Sequence, residues 1–112
     1  MSYDVYIDKK EEDEFDGNIN YTYNAYHMLN LALSEGANSE IDSINKFNGM
    51  ECVDVLEITA KMLSHMSDIN NEIKYICLEP GNGWGNLSGT KRFVEEIHNL
   101  CQENIGFKLR VS

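Results

Sequence analysis

Both ends of the chain alternate. Near the start, Tyr3, Val5 and Ile7 take one side while Asp4, Tyr6 and Asp8 take the other. At the far end, Phe107, Leu109 and Val111 alternate with Lys108, Arg110 and Ser112. A period of two is the mark of a strand with one buried face. A chain of 112 residues has room for a single hydrophobic core, so both terminal strands are expected to border it as one domain, residues 1–112. Their outward residues carry opposite charge, which favours placing Lys108 and Arg110 beside Asp4 and Asp8.

The segments between them mostly repeat at helical spacing. After a turn over "KKEEDEFDGN", in which Asp16, Gly17 and Asn18 suit positive φ, the run Ile19, Tyr21, Tyr23 alternates and predicts the second arm of a hairpin. Asn24 is the expected cap of a helix over about 25–34, with Ala25, Leu29, Ala32 and Leu33 inward and Gly36 closing it. A short helical turn fits within "ANSEIDSINKFNG". A second helix is expected over about 50–66, with Cys52, Val55, Leu56, Thr59, Leu63 and Met66 on one stripe. Ile73, Tyr75 and Cys77 alternate and suggest a short strand. A third helix is expected over about 88–103, with Phe93, Val94, Ile97, Leu100 and Cys101 inward and Asn104 and Gly106 ending it. The fold class is α+β: a small, mostly antiparallel sheet from the terminal strands and the early hairpin, packed against about three helices.

Charge narrows the function classes. The net charge of −10 disfavours direct binding to nucleic acid or to an anionic membrane. No run of 18 apolar residues exists to span a bilayer, and no signal peptide is apparent. The acid is uneven: residues 1–16 hold seven acids and two lysines, whereas residues 89–112 hold four cations and three acids. The run from Glu11 to Asp16 is either a solvated turn or a negative surface for a basic partner. Cys52, Cys77 and Cys101 have no C-x-x-C spacing and read as buried thiols of a reducing cytosol. His27, His65 and His98 show no paired ligand spacing, so no metal and no cofactor are expected. No pair of carboxylates or Cys–His pair is placed for catalysis, and the expectation is a non-enzymatic protein.

Two stretches carry candidate binding chemistry. "EPGNGWGNLSGTKR", residues 79–92, holds four of the eight glycines, the only proline and the only tryptophan, and it leads into a helix. Helix N-termini offer unpaired N–H groups and a positive dipole end, and glycine lets a backbone approach a ligand closely. Asn82, Asn86, Ser88 and Thr90 add polar side chains, Lys91 and Arg92 add charge, and Trp84 offers a face for stacking a base. Neither G-x-x-x-x-G-K-[ST] nor G-x-G-x-x-G is matched; Asn86 stands where the third glycine of the latter belongs. The plain alternative is a connection with Trp84 pinned in the core. "NYTYN" is the second stretch: Asn20, Thr22, Tyr23 and Asn24 crowd a strand-to-helix junction. There the alternative is core tyrosines and a capping asparagine.

The order "MSYDVYI", "NYTYN", "NGMECVDVLE" and "EP…GN…TKRFV" resembles a family of small, poorly characterised phage and prophage proteins, with the match covering most of the chain. The shared positions are Asn20, Thr22, Tyr23, Asn24, Gly49, Pro80, Gly85, Asn86, Lys91 and Arg92. This sequence departs by extra residues between Asn86 and Thr90, which leaves the helix start open. The resemblance implies a phage setting, in the cytoplasm of an infected bacterium, and no reaction. Two functions follow as expectations. One is counter-defence by binding and sequestering a nucleotide-derived immune signal, with the site formed within one chain or across a homo-oligomer. The other is an acidic inhibitor that binds a host defence protein directly, of the DNA-mimic or anti-CRISPR kind.

Overall fold

The computed structural model describes residues 2–8, 16–83 and 85–112. Its sheet has three antiparallel strands, β1 (Ser2–Asp8), β2 (Asp16–Thr22) and β3 (Lys108–Val111), in the order β2-β1-β3. The helices are α1 (Tyr26–Leu31), α2 (Cys52–Ser67), α3 (Glu72–Ile76) and α4 (Leu87–Glu103). The α+β class read from the sequence is the fold observed.

The terminal strands pair as their patterns require. Val5 stands opposite Val111 and Ile7 opposite Leu109, all four buried. On the other face Arg110 Nε reaches Asp8 Oδ2 at 2.9 Å. Asp4 bonds elsewhere: its side chain accepts from Asn20 Nδ2 at 2.8 Å, and its backbone exchanges two hydrogen bonds with Ser112. On the β2 side the register runs Tyr3–Tyr21, Asp4–Asn20 and Val5–Ile19, then shifts by Ile7–Asp16. That shift places one extra residue in β2, a bulge. Asp16, Gly17 and Asn18 therefore belong to the strand rather than to the turn expected there, and the turn itself lies outside the described residues.

Three local expectations are corrected. Strand β2 stops at Thr22, and Tyr23 opens a single 3₁₀ turn. Thr22 Oγ1 accepts from the Asn24 N–H at 3.3 Å, so Thr22 is the cap and the Asn24 side chain is left exposed. Segment 73–77 is helical, not extended. Asp68 Oδ1 accepts from the Asn70 N–H at 2.9 Å and starts a 3₁₀ turn that runs into α3. Of the alternating trio only Tyr75 is buried; its hydroxyl meets His65 Nδ1, while Ile73 and Cys77 face outward. Gly36 does not end its helix through positive φ. Helix α1 widens into a π turn (Ala32–Gly36), and the left-handed residue is Asn38, at φ 47°. Gly36 is needed for space, because a Cβ there would lie 2.7 Å from His65 Cβ.

The core joins the inner face of the sheet to α4, with α2 packed along α4. Phe93 stacks near Tyr3, at 5.9 Å between ring centroids, and near Tyr21, at 5.3 Å. The stripe expected for α2 holds in Cys52, Val55, Thr59 and Met66, with Met62 added. Helix α4 begins one residue earlier than expected and buries Phe93, Val94, Ile97, Leu100 and Cys101 as read. Cys52 and Cys101 are free thiols buried in the core, and burial pushes both above the ordinary range. Cys77 is exposed, contrary to the reading of three buried thiols. Among the described residues no helix is long and apolar enough to cross a membrane.

Candidate functional site

The two stretches singled out in the sequence meet. The Tyr21 hydroxyl lies 3.4 Å from both the Asn86 backbone N–H, which donates to it, and the Asn86 carbonyl. It also lies 3.4 Å from Thr90 Oγ1. Glycine makes this approach possible: a Cβ on Gly89 would stand 2.5 Å from Tyr21 Oη. Strand β2 thus docks onto the first turn of α4 through one tyrosine.

That first turn is already capped by the chain. Asn86 Oδ1 accepts from the Gly89 N–H at 2.7 Å, in the geometry of an N-cap. Glu79 Oε1 accepts from the Leu87 N–H at 3.0 Å, so a carboxylate of the same loop sits at the positive end of the helix. Thr90 is buried, and its hydroxyl donates to the Asn86 carbonyl at 2.7 Å. Of the polar side chains in this turn, that of Ser88 alone has no hydrogen-bond partner among the described residues.

The remaining candidates fall on two sides of α4. Ser88 and Lys91 open onto a groove between α3 and α4, of about 380 Å³, lined also by Glu72, Ile76, Glu79, Asn86 and Leu87. Arg92 and Asn20 border a second groove between α4 and β2, of about 250 Å³, with Tyr21, Gly89, Phe93 and Glu96. Lys91 and Arg92 have no ion-pair partner among the described residues. Thr22 ends β2 and Asn24 lies in the turn after it, and neither lines these grooves; Tyr23 packs tilted against Tyr3 at 5.1 Å and stacks on Tyr26 at 5.6 Å. Asn82 is exposed in the loop before α4. Trp84 and the acids from Glu11 to Glu14 lie outside the described residues.

Sequence reasoning missed Glu72, Ile76, Glu79 and Leu87 in the first groove and Glu96 in the second. Leu87 and Glu96 follow from helical spacing once the helix start is known. Glu72 and Ile76 carry no local signal, because a single buried residue, Tyr75, among exposed neighbours fits a strand as well as a helix.

The chain matches no protein-family model, no curated protein and no solved structure.

Proposed function

We propose that this chain is a non-catalytic binding protein that holds a nucleotide-derived small molecule in the groove between α3 and α4. One observation carries the proposal: Asn86, Ser88 and Lys91, all drawn from the glycine-rich stretch, converge on one open groove where Lys91 keeps an unpaired charge among the described residues. The lysine ammonium and the Ser88 hydroxyl suit a phosphate. Glu72 accepts from ribose hydroxyls or base amines, and Ile76 and Leu87 offer apolar surface to a base. Because Glu79 already holds the Leu87 N–H, the phosphate sits beside the helix end rather than on its axis. The resemblance to phage proteins supplies the setting, in which such capture withdraws an immune signal.

A thermal-shift screen of cyclic and linear nucleotides and ADP-ribose derivatives tests this, with calorimetry on each hit. A ligand at a hundredfold excess over its dissociation constant adds about 2.7 kcal/mol of stability. Lys91→Ala abolishes that gain, while Arg92→Ala and Asn24→Ala, which lie off this groove, preserve it. Absence of any ligand tighter than millimolar, or hits indifferent to Lys91, removes the proposal.

One feature favours the second reading, direct capture of a host defence protein. Ile69, Ile73 and Ile76 are 79%, 65% and 44% exposed at helical spacing, and Ile76 also lines the same groove. Exposed apolar stripes of this kind serve protein contacts. Under this reading Ile73→Asp abolishes capture of the host protein without lowering the melting temperature.

A further inference from the structure

The two edges of the sheet are finished differently. The outer side of β3 is covered by residues 48–52. Gly49 N–H donates to Leu109 O at 2.7 Å, Leu109 N–H to Met50 O at 2.8 Å, and Cys52 N–H to Phe107 O at 2.9 Å. The Val111 N–H donates to Asn48 Oδ1 at 3.1 Å. No described residue covers the outer side of β2 in this way.

The direction of the free groups on β2 follows from the ladder. Asp4 gives both its N–H and its C=O to Ser112, on the β3 side. Bonded and non-bonded pairs alternate in an antiparallel ladder, so Tyr3–Tyr21 and Val5–Ile19 exchange bonds while Asp4–Asn20 does not. The backbone N–H and C=O of Asn20 therefore point off the sheet, beside the α4–β2 groove that Asn20 lines. On the α4 side of that groove Arg92 and Glu96 stand one turn apart with opposite charge, and neither has an ion-pair partner among the described residues. Strand β2 has neither Lys nor Pro along this edge, and its one irregularity is the bulge between Asp16 and Ile19, to one side of Asn20.

We propose that β2 is a dimerisation edge, on which a second copy of this chain lays its own β2 antiparallel about a twofold axis at Asn20. The sheet then runs on through both copies. A cation followed one turn later by an anion is self-complementary under such rotation: Arg92 meets the partner's Glu96, and Glu96 meets the partner's Arg92. This reciprocity selects a second copy over an unrelated extended peptide, which would meet one copy's two charges with no symmetry to match them. The paired edges bring no like charges together, since Asn20 and Thr22 are uncharged. The interface is separate from the α3–α4 groove and goes beyond the ligand proposal, so either can fail alone.

Sedimentation velocity and light scattering test it. The chain runs at twice its 12.8 kDa mass. Arg92→Glu and Glu96→Arg each run as folded monomers by circular dichroism. Mixing these two variants gives a heterodimer, and the double variant R92E/E96R restores the homodimer. Amide exchange protects Asn20 in the wild type and loses that protection in Arg92→Glu. A wild type that stays at 12.8 kDa over the accessible concentrations overturns the proposal, including one that takes up an extended peptide at β2. A dimer that survives both single charge reversals overturns it equally.

Discussion

Glu79 accepts the backbone N–H of Leu87 at 3.0 Å, so the chain supplies its own anion to the end of α4. The carboxylate lies eight positions before the amide it holds, across the glycine-rich loop. It therefore ties the two ends of that loop together as well as offsetting the helix dipole.

Glu79→Ala should cost about 1 kcal/mol, the usual value for losing a helix-terminal acceptor. Glu79→Gln should cost less, because the amide oxygen still accepts. Urea denaturation with an unchanged slope checks both. Equal stability of all three proteins would mean that the bond contributes nothing in solution.

Gly89 and Tyr21 should be coupled. Gly89→Ala forces a methyl group against the Tyr21 hydroxyl and should cost about 1–3 kcal/mol, the range for overpacking. In a Tyr21→Phe background the nearest atom is gone, and the same substitution should cost less. A double-mutant cycle measures the difference. Strict additivity would show that the close approach is not what requires glycine.

Tyr3 makes the protein sensitive to alkali. Burial pushes its phenol up to about 12, helped by the neighbouring Tyr23 and Tyr26. The unfolded chain releases this proton near the ordinary value of about 10. The folded state thus prefers the protonated phenol, and its stability is fully present below that value and falls as pH rises from about 10 to 12. Burial pushes the Tyr75 phenol up as well, so absorbance titration should show late-ionising tyrosine of which only the Tyr3 share is lost in Tyr3→Phe, and that variant should lose less stability over the same interval.

The Asp8–Arg110 pair should contribute little. Asp8 is mostly shielded, but the arginine is 42% exposed, and pairs of this kind give about 0.2–1 kcal/mol. A double-mutant cycle with Asp8→Asn and Arg110→Gln should return that coupling and shrink in high salt. A coupling that salt leaves unchanged would point to the hydrogen bond rather than the charge.

The sheet was legible because alternation survives burial on one face: Val5, Ile7, Leu109 and Val111 are buried as their spacing requires. Helices α2 and α4 were legible for the same reason at a different period. Segment 73–77 was not, since one buried tyrosine among exposed neighbours fits either period, and a side-chain cap at Asp68 decided it. The site was legible only in part. "SGTKR" reads as one cluster along the chain, but successive residues on a helix turn by about 100°. Ser88 and Lys91 therefore face α3, Gly89 and Arg92 face β2, and Thr90 points into the core. The role of Glu79 depends on how the loop folds back, which no local pattern encodes.

The central place of β1 also bears on how the chain reaches its fold. Its two ladders differ greatly in reach: β2 begins eight positions after β1 ends, while pairing Val5 with Val111 closes nearly the whole chain into one loop. Closing a longer loop costs more chain entropy before any contact offsets it. The β1–β2 hairpin and the α2–α4 pair can assemble while β3 is still unattached. Attachment of β3 is then the late event on the folding path, and truncating Val111 should speed unfolding while leaving the folding rate nearly unchanged.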